Sequence, residues 1–258
     1  MNENVVFIKQ IEDFIYNGIQ EKGYNIFQAY KKCPYILTIF RRLWFRFKLP
    51  FSHIWFNNLL KSLNTENIII YETLIDPSFL NWIKKNNCKS RIIFFYFNIV
   101  STTIKPEQIP DSIEKWSWDK GDCKQYNFQY NEGSGYIPLK LPVNLAPQYD
   151  VVFIGRDKGR YNDLLKIQKA LKQKGLKTNF HITADNRHQL NSKKHYKGLL
   201  SYEDSLKLEL NAKAILDFVQ KGQVGTTYRT MEAINYSIKL ISNNKELKSY
   251  NFSYRKIA

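Results

Sequence analysis

The stretch GQVGTTYRTMEA, residues 222–233, lies between two apolar runs, AKAILDFV (residues 212–219) and SIKLIS (residues 237–242). A connection between buried strands needs only a turn, yet this one carries glycines, adjacent threonines, an arginine and a glutamate. Gly225 lets the backbone approach a ligand closely, and the free amides at the start of the next helix suit a phosphate. The stretch therefore predicts a strand, an anion-binding loop, a helix and a second strand.

The same alternation fills the second half of the chain. The predicted strands are residues 151–154, 177–183, 212–219 and 239–244, and the predicted helices are residues 161–175, 201–212 and 226–237. Ser201 is in the position of an N-cap, and Gly175 in that of a C-terminal stop. Because the strands are continuous apolar runs that alternate with helices, we expect a parallel sheet covered on both faces.

The first half has a similar pattern. Strands are predicted at residues 4–8, 66–72 and 90–100, with a helix at residues 77–87 and another that includes Ile11, Phe14, Ile15 and Ile19. Residues 115–148 give only short, mixed signals. The sequence predicts an α/β protein of two Rossmann-like domains with parallel sheets and a cleft between them. The predicted domains are residues 1–147 and 148–258, joined near residues 142–148.

Composition narrows the classes of protein. The chain has 258 residues, is 43% hydrophobic and 24% charged, and has a formal net charge of +16, which attracts anionic partners. Cys33, Cys88 and Cys123 are far apart, which argues against a zinc site or a disulfide framework and favours a reducing compartment. No signal peptide and no membrane-spanning run is evident, so a cytoplasmic location is predicted.

Three loops are expected at the carboxyl edge of the second sheet, where open parallel sheets bind ligands. The first loop contains Gly155, Arg156, Lys158 and Arg160, and its alternative interpretation is a solvated basic turn. The second loop precedes a helix and contains Tyr202, whose ring could stack on a base. Its alternative is a plain N-capped helix start.

The third loop is the stretch at residues 222–233. Thr226 or Thr227 can cap its helix, Arg229 lies one turn in, and Glu232 can accept hydrogen bonds from both hydroxyls of a ribose. The alternative is that Glu232 and Arg229 are neighbouring helix residues without a ligand. Convergence of two such loops on the same sheet edge favours a binding site.

The segment FRRLWFRFKLPF, from Phe40 to Phe51, interleaves cationic and aromatic residues. Three interpretations are open: peripheral contact with an anionic membrane, stacking on single-stranded nucleic acid, or an amphipathic helix whose aromatic side chains are core.

The second half resembles the donor domain of GT-B glycosyltransferases of the bacterial capsule and lipopolysaccharide biosynthesis type. The segments YDVVFIGRDKGR, LLSYEDSLKLELNAKAILDF and GQVGTTYRTMEAINYSIKLISNN carry the resemblance, and IIIYETLIDPSFLNWIKKN, RIIFFYFN and EKWSWDKGDCKQYNFQYN extend it to the first half. The resemblance implies donor-binding residues. Glu232 would bind the ribose, and residues 198–202 would lie beside the base. The diphosphate would contact Gly225, Thr226, Thr227 and Arg229, with Arg156, Lys158 and Arg160 in support. Val224 stands where many members carry a glutamate, so that sugar contact is either missing or supplied by Gln223.

The resemblance implies metal-independent transfer of a sugar from a nucleotide sugar to a surface polysaccharide or lipopolysaccharide acceptor, glycan or lipid-linked glycan, at the inner face of the cell membrane. The absence of a D-x-D motif fits, and neither a cofactor nor a nucleic-acid partner is expected. Glu12, Asp13 and Glu72, at predicted strand ends, are the candidate catalytic bases. Members usually continue past the point where this chain stops, so a truncated C-terminal end is expected. The alternatives are a GT-B-like binding protein without catalysis and a polyanion- or nucleic-acid-binding protein.

Overall fold

A computed structural model describes residues 2–131, 141–142, 146–185, 195–221 and 223–249. The chain divides into two compact units, Met1–Ile137 and Pro138–Ala258. This division lies ten residues before the predicted boundary at 147/148. Of the predicted linker, residues 143–145 lie outside the described residues, as do Gly222 and the last residues, 250–258.

The first unit is built on a parallel sheet. Its strands are β1 (Asn2–Ile8), β2 (Tyr24–Phe27), β3 (Asn67–Tyr71), β4 (Arg91–Tyr96), β5 (Glu114–Ser117) and β6 (Gln129–Tyr130). Its α-helices are α1 (Phe14–Glu21), α2 (Tyr35–Arg46), α3 (Pro77–Asn86) and α4 (Lys120–Tyr126), and 3-10 helices span Ser52–Trp55, Asn58–Leu60, Val100–Thr102 and Pro106–Gln108. The strand order is β2-β1-β3-β4-β5-β6, so the direction of winding reverses between β1 and β3.

The apolar runs predicted as strands form β1, β3 and β4. Helix α1 begins later than predicted, because the Asp13 carboxylate accepts hydrogen bonds from the amides of Ile15 and Tyr16 and so caps the helix at residue 13. Ile11 is therefore left in the preceding loop. The short strands β2, β5 and β6 escaped prediction, since β2 has a single buried side chain, that of Ile26.

The second unit has a smaller parallel sheet. Its strands are β7 (Tyr149–Arg156), β8 (Thr178–Thr183), β9 (Ala212–Asp217) and β10 (Lys239–Ser242), its helices are α5 (Tyr161–Gln173), α6 (Tyr202–Leu210) and α7 (Tyr228–Asn235), and a 3-10 helix spans Lys245–Ser249. The strand order is β10-β9-β7-β8, with all pairs parallel, as predicted. Winding reverses between β7 and β9, and the Ser201 hydroxyl caps α6 by accepting from the amide of Asp204 at 3.0 Å.

Helices cover both faces of this second sheet. Along β7, Val151 and Phe153 pack in one apolar cluster with Leu164 of α5, whereas Val152 packs in another with Ala233 of α7. This alternation follows from the two-residue period of a strand. The carboxyl ends of β7 and β9 lie side by side at the reversal point of this sheet, and ligands of open parallel sheets bind at such an edge. Among the described residues, no helix is both long and apolar enough to cross a bilayer.

Candidate functional site

Arg160 ties together the loops that follow β7 and β9. Its guanidinium donates hydrogen bonds to the carbonyl oxygens of Arg156 (2.8 Å) and Asp157 (3.2 Å) on one side and of Phe218 on the other. It also lies over the ring of Phe153, 5.5 Å from the centroid. The predicted convergence of the two loops is therefore real, but the Arg160 side chain is engaged by the protein itself.

The backbone of the first loop is shaped by glycine. A Cβ at Gly155 would lie 3.3 Å from the Phe153 ring and 3.8 Å from the Arg160 guanidinium, so any other residue would press against the Phe153 ring. Gly159 has a φ of +77° and Lys158 a φ of +44°, both left-handed. The Lys158 amide donates to both carboxylate oxygens of Asp185, at 3.0 and 3.1 Å.

Two cations of this loop reach solvent. The exposed Arg156 donates through Nη1 to the carbonyl oxygen of Asp185 at 2.8 Å. Lys158 is an exposed residue whose side chain makes no hydrogen bond or ion pair with any residue in the described ranges. Burial of its ammonium group and the nearby guanidinium of Arg160 lower its pKa. Lys158 and Arg156 are thus the predicted donor-site cations that remain available to an anion.

Asp217, the last residue of β9, organises the third loop and was missed from sequence. Its buried carboxylate accepts hydrogen bonds from the hydroxyls of Thr227 (2.9 Å), Thr230 (3.5 Å) and Ser242 (3.1 Å). Burial raises the pKa of Asp217, and the hydroxyl donors partly offset that rise. Thr227 is at the N-cap position of α7 as predicted, but its hydroxyl serves Asp217 and does not cap the helix.

The third loop is also held by Asn244, which lies two residues after β10. The Asn244 side-chain amide donates to the carbonyl oxygens of Val224 (3.1 Å) and Gly225 (3.2 Å), and both Gly225 and Thr226 are buried. The half-buried Gln223 precedes this anchored pair. The loop is accordingly preorganised, which lowers the entropic cost of holding a ligand.

Arg229 joins two fully buried glutamates. Its Nη1 lies 2.5 Å from Glu232 Oε2 on the same helix and 2.6 Å from Glu209 Oε1 on α6. Both carboxyl groups have no exposed surface. Glu232 Oε1 and Glu209 Oε2 accept no hydrogen bond from the residues that the structure describes. The ribose-binding role of Glu232 stays a prediction, and in this conformation the side chain points into protein.

The charges of this cluster are coupled. Burial raises the pKa of Glu209 well above its ordinary value, and the carboxyl group of Glu232 raises it further, while Arg229 opposes the rise. Burial lowers the pKa of Arg229, but the two carboxyl groups outweigh it and the pKa is raised. Protonation of Glu209 lowers the negative charge of the cluster, and a buried site disfavours uncompensated charge.

Tyr202 lies where α6 and α7 begin side by side. Its ring meets the ring of Tyr228 edge-on, with centroids 6.5 Å apart, and it packs on Leu206, Leu210 and Tyr236. The predicted stacking of Tyr202 on a base stays a prediction, and the ring is half-buried.

In the first unit, Lys9 and Asp13 lie at the reversal point between β1 and β3. The Lys9 ammonium, only 2% exposed, lies 2.6 Å from Asp13 Oδ2 and faces the ring of Phe97. The Asp13 carboxylate is thus shared between an ammonium and the start of α1. Sequence inspection had no reason to single out Lys9.

Glu72 follows β3 at the same edge and is buried. Its carboxylate accepts hydrogen bonds from the Thr73 hydroxyl (3.0 Å), the Phe97 amide (3.2 Å) and the Asn98 side chain (2.6 Å). Burial raises the pKa of Glu72, and these donors together with the charge of Lys9 partly offset it. Glu12, the remaining candidate base, lies at the surface in an ion pair with Lys32 at 2.9 Å. The structure thus gathers Asp13 and Glu72 around Lys9.

The segment from Phe40 to Phe51 exposes most of its apolar side chains. Phe47 and Phe51 are 67% and 68% exposed, whereas Phe45 packs on the core of the first unit. Of the residues of α2, Arg41 is the buried one. The interpretation of this segment as a core helix is therefore right for Phe45 and wrong for the exposed aromatic residues.

No group of three or more His, Cys, Asp or Glu side chains suited to a metal ion occurs in the described part of the chain.

No family model and no curated protein sequence matches the chain. Solved structures do resemble it. AviGT4, a glycosyltransferase involved in avilamycin A biosynthesis, matches with a TM-score of 0.52 and 12% identity over 93% of this chain and 78% of AviGT4. The spinosyn rhamnosyltransferase SpnG matches with a TM-score of 0.41 and 8% identity over 91% of this chain and 79% of SpnG. At 12% identity the likeness to AviGT4 shows the fold alone, a mixed α/β arrangement with parallel sheets that is consistent with a GT-B-like fold, and carries nothing about substrates.

Proposed function

We propose that this chain is a glycosyltransferase that moves a sugar from a nucleotide-sugar donor to a surface polysaccharide or lipopolysaccharide acceptor. The observation that carries the proposal is the pair of loops after β7 and β9, which Arg160 and Asp217 hold in place at the reversal point of a parallel sheet. Further support comes from the fold, because AviGT4, whose structure is similar, is a glycosyltransferase.

The second unit would hold the donor. Lys158 and Arg156 would meet the diphosphate, with backbone amides at the start of α7, because charge-assisted contacts to phosphate are among the strongest that proteins make. Gln223, just before the anchored Gly225, would reach the sugar. Arg160 would act by positioning the loop, since its guanidinium is committed to three backbone carbonyl oxygens.

The acceptor hydroxyl must lose a proton as it attacks the anomeric carbon and the nucleoside diphosphate leaves. In an inverting reaction a carboxylate takes that proton, and Asp13 and Glu72 are the candidates at the carboxyl edge of the first sheet. Glu72 has the pKa raised by burial, which brings a carboxylate closer to the basicity this step requires. The positive charges around the diphosphate would stabilise the leaving group without a metal ion.

We further propose peripheral binding of the first unit to an anionic membrane face, in the cytoplasm. Aromatic and aliphatic side chains on α2 and the segment after it are exposed, and Arg42, Arg46 and Lys48 lie among them. Such a surface buries its apolar groups in the headgroup region and places its cations against anionic lipid.

Substitution of Phe47 and Phe51 by serine tests the membrane proposal. Both side chains are exposed, so the fold should persist while co-sedimentation with phosphatidylglycerol vesicles falls severalfold. Leu199→Ser is the matched control, because Leu199 is 76% exposed in the second unit. Unchanged co-sedimentation of the Phe47/Phe51 variant, or an equal loss with Leu199→Ser, counts against it.

A second candidate is a binding protein without catalysis. The observation in its favour is that Arg229 and Glu232, two residues expected to hold the donor, are engaged with each other and with Glu209. Such a protein would bind a nucleotide or another polyanion without turnover.

Calorimetric titration with UDP, GDP and single-stranded RNA separates these functions. The proposal predicts saturable binding of one nucleoside diphosphate, weakened about tenfold in Lys158→Gln because one charge-assisted phosphate contact is lost. Lys169→Gln, an exposed lysine on α5, is the matched control and should bind as the wild type does. Binding of RNA alone, or no difference between the two variants, contradicts the proposed donor site.

A further inference from the structure

A cleft of about 520 Å³ opens in the first unit between α2 and the carboxyl edge of the sheet. Residues from the ends of β1 and β2 form its floor, including Gln10, Gln28 and Tyr30. Thr38, Arg41, Arg42 and Phe45 of α2 line the other side. These four positions recur at helical spacing, so one face of α2 is turned towards the cleft.

The lining is strongly cationic. Lys31, Lys32, Arg41 and Arg42 contribute four positive charges, against the single carboxylate of Glu12. Glu12 pairs with Lys32 at the exposed rim, so it leaves the other cations uncompensated. A concave surface lined by one sign of charge concentrates ligands of the opposite sign.

Arg41 is held in place with part of its guanidinium unused. It is 8% exposed, and its guanidinium carbon lies 4.8 Å from the centroid of the Tyr30 ring. Its Nη1 donates to the carbonyl oxygen of Lys31 at 3.0 Å and approaches Cys33 Sγ at 3.7 Å. Nε and Nη2 have no hydrogen-bond partner among the described residues. The Tyr30 hydroxyl accepts from the Asp76 amide at 2.7 Å, which fixes the ring on which Arg41 lies.

The opposite face of α2 is apolar and exposed. Ile36, Phe40 and Leu43 of α2, with Phe47 directly after the helix, recur at helical spacing and are each between 43% and 78% exposed. One helix therefore separates a basic cleft from an apolar outer surface. A ligand with an anionic head and an apolar tail would use both faces.

From this arrangement we infer that the cleft binds a phosphate or diphosphate group carried by the acceptor. The inference rests on the proposed function, whose acceptor substrate it specifies. A preorganised arginine with free donors, flanked by Arg42 and Lys31, matches the charge and the hydrogen-bonding pattern of phosphate oxygens. The phosphate group belongs either to a lipid-linked acceptor, whose chain would follow the apolar face, or to a soluble phosphorylated glycan.

The test is a titration with inorganic pyrophosphate and with farnesyl diphosphate, followed by tryptophan fluorescence. All five tryptophans lie in the first unit, so the signal reports on that unit. Arg42→Gln removes an exposed cation of the cleft, and Arg41→Gln removes the preorganised one. Arg46→Gln is the matched control, since Arg46 lies on the same helix outside the cleft lining.

We expect Arg42→Gln and Arg41→Gln each to weaken pyrophosphate binding by about tenfold and Arg46→Gln by less than about twofold. If Arg41→Gln unfolds, Arg42→Gln alone decides. Tighter binding of farnesyl diphosphate than of pyrophosphate identifies a lipid-linked acceptor, and equal binding a soluble one. No binding, or equal losses in Arg42→Gln and Arg46→Gln, overturns the inference. Nucleoside diphosphate binding that responds to Lys158→Gln would still stand, so the two failures are distinguishable.

Discussion

Arg229→Met tests the buried cluster of Arg229, Glu209 and Glu232. Methionine keeps an unbranched side chain of similar length but removes the guanidinium charge. That charge is the ion-pair partner of the buried carboxyl groups of Glu209 and Glu232. Removing one partner of a buried ion pair destabilises proteins by about 3–5 kcal/mol, because the remaining charge is left uncompensated. That is a large share of the roughly 5–15 kcal/mol that hold a typical domain folded.

The pH dependence supplies a second, independent readout. The pKa of Glu209 is raised in the folded state, so the folded protein binds a proton that the unfolded chain releases above its ordinary pKa. Stability therefore falls as pH rises through the window between the unfolded and folded pKa of Glu209. Glu209→Gln should remove this slope and cost little stability at neutral pH. In Arg229→Met the slope should steepen, since the stability lost with Arg229 shrinks when Glu209 becomes protonated.

The assay is urea unfolding followed by far-UV circular dichroism at several pH values. Glu203→Gln is the matched control, because Glu203 lies on the same helix in an exposed pair with Lys207 and should contribute at most about 1 kcal/mol. Adding Glu209→Gln and Glu232→Gln to Arg229→Met removes the uncompensated charges and should restore part of the loss. An Arg229→Met protein within about 1 kcal/mol of wild type, with weakened nucleotide binding, would refute the structural role and favour a diphosphate contact.

Three further outcomes are expected. Asp217→Ala should cost about 1–3 kcal/mol, because three hydroxyl groups lose their buried acceptor, and thermal unfolding measures it. An effect below about 0.5 kcal/mol would contradict that assignment. Arg91→Ala should cost at most about 1 kcal/mol in the same assay, since its pair with Glu114 is largely exposed, and a loss several times larger would be inconsistent with this exposure. Turnover should survive EDTA, and activity lost in EDTA but restored by Mn²⁺ would show that metal independence is wrong.

Long apolar runs made the sheets predictable from sequence. Strand β4 is buried after its first residue and β7 is buried from Val151 to Ile154, and burial on both faces produces a continuous apolar run that is easily recognised in a sequence. Strands β2 and β6 are short and carry few buried residues, so no periodicity exposes them. Their existence depends on pairing with β1 and β5, which is tertiary information.

The location of the candidate site was predictable, but the engagement of its side chains was not. Loops that follow adjacent parallel strands converge because of topology alone. The strand order therefore suffices to predict that Gly155 and Gly225 lie at the same edge of the sheet, as they do. The partners of Arg160 and Arg229 are backbone carbonyls and a glutamate on another helix, which sequence spacing does not reveal. Asp217 could have been predicted from the sequence, because an acidic residue at the end of an apolar strand is well placed to accept hydrogen bonds from the loops at that edge.

The most direct measurement is incubation of the purified protein with a panel of sugar nucleotides and phosphorylated or lipid-linked acceptors, with products detected by mass spectrometry. The account predicts one donor whose sugar mass is added to an acceptor, with release of its nucleoside diphosphate, and a strong loss of product in Lys158→Gln but not in Lys169→Gln. A protein that binds a nucleoside diphosphate yet yields no product with any donor and acceptor would contradict glycosyl transfer and favour the binding protein without catalysis.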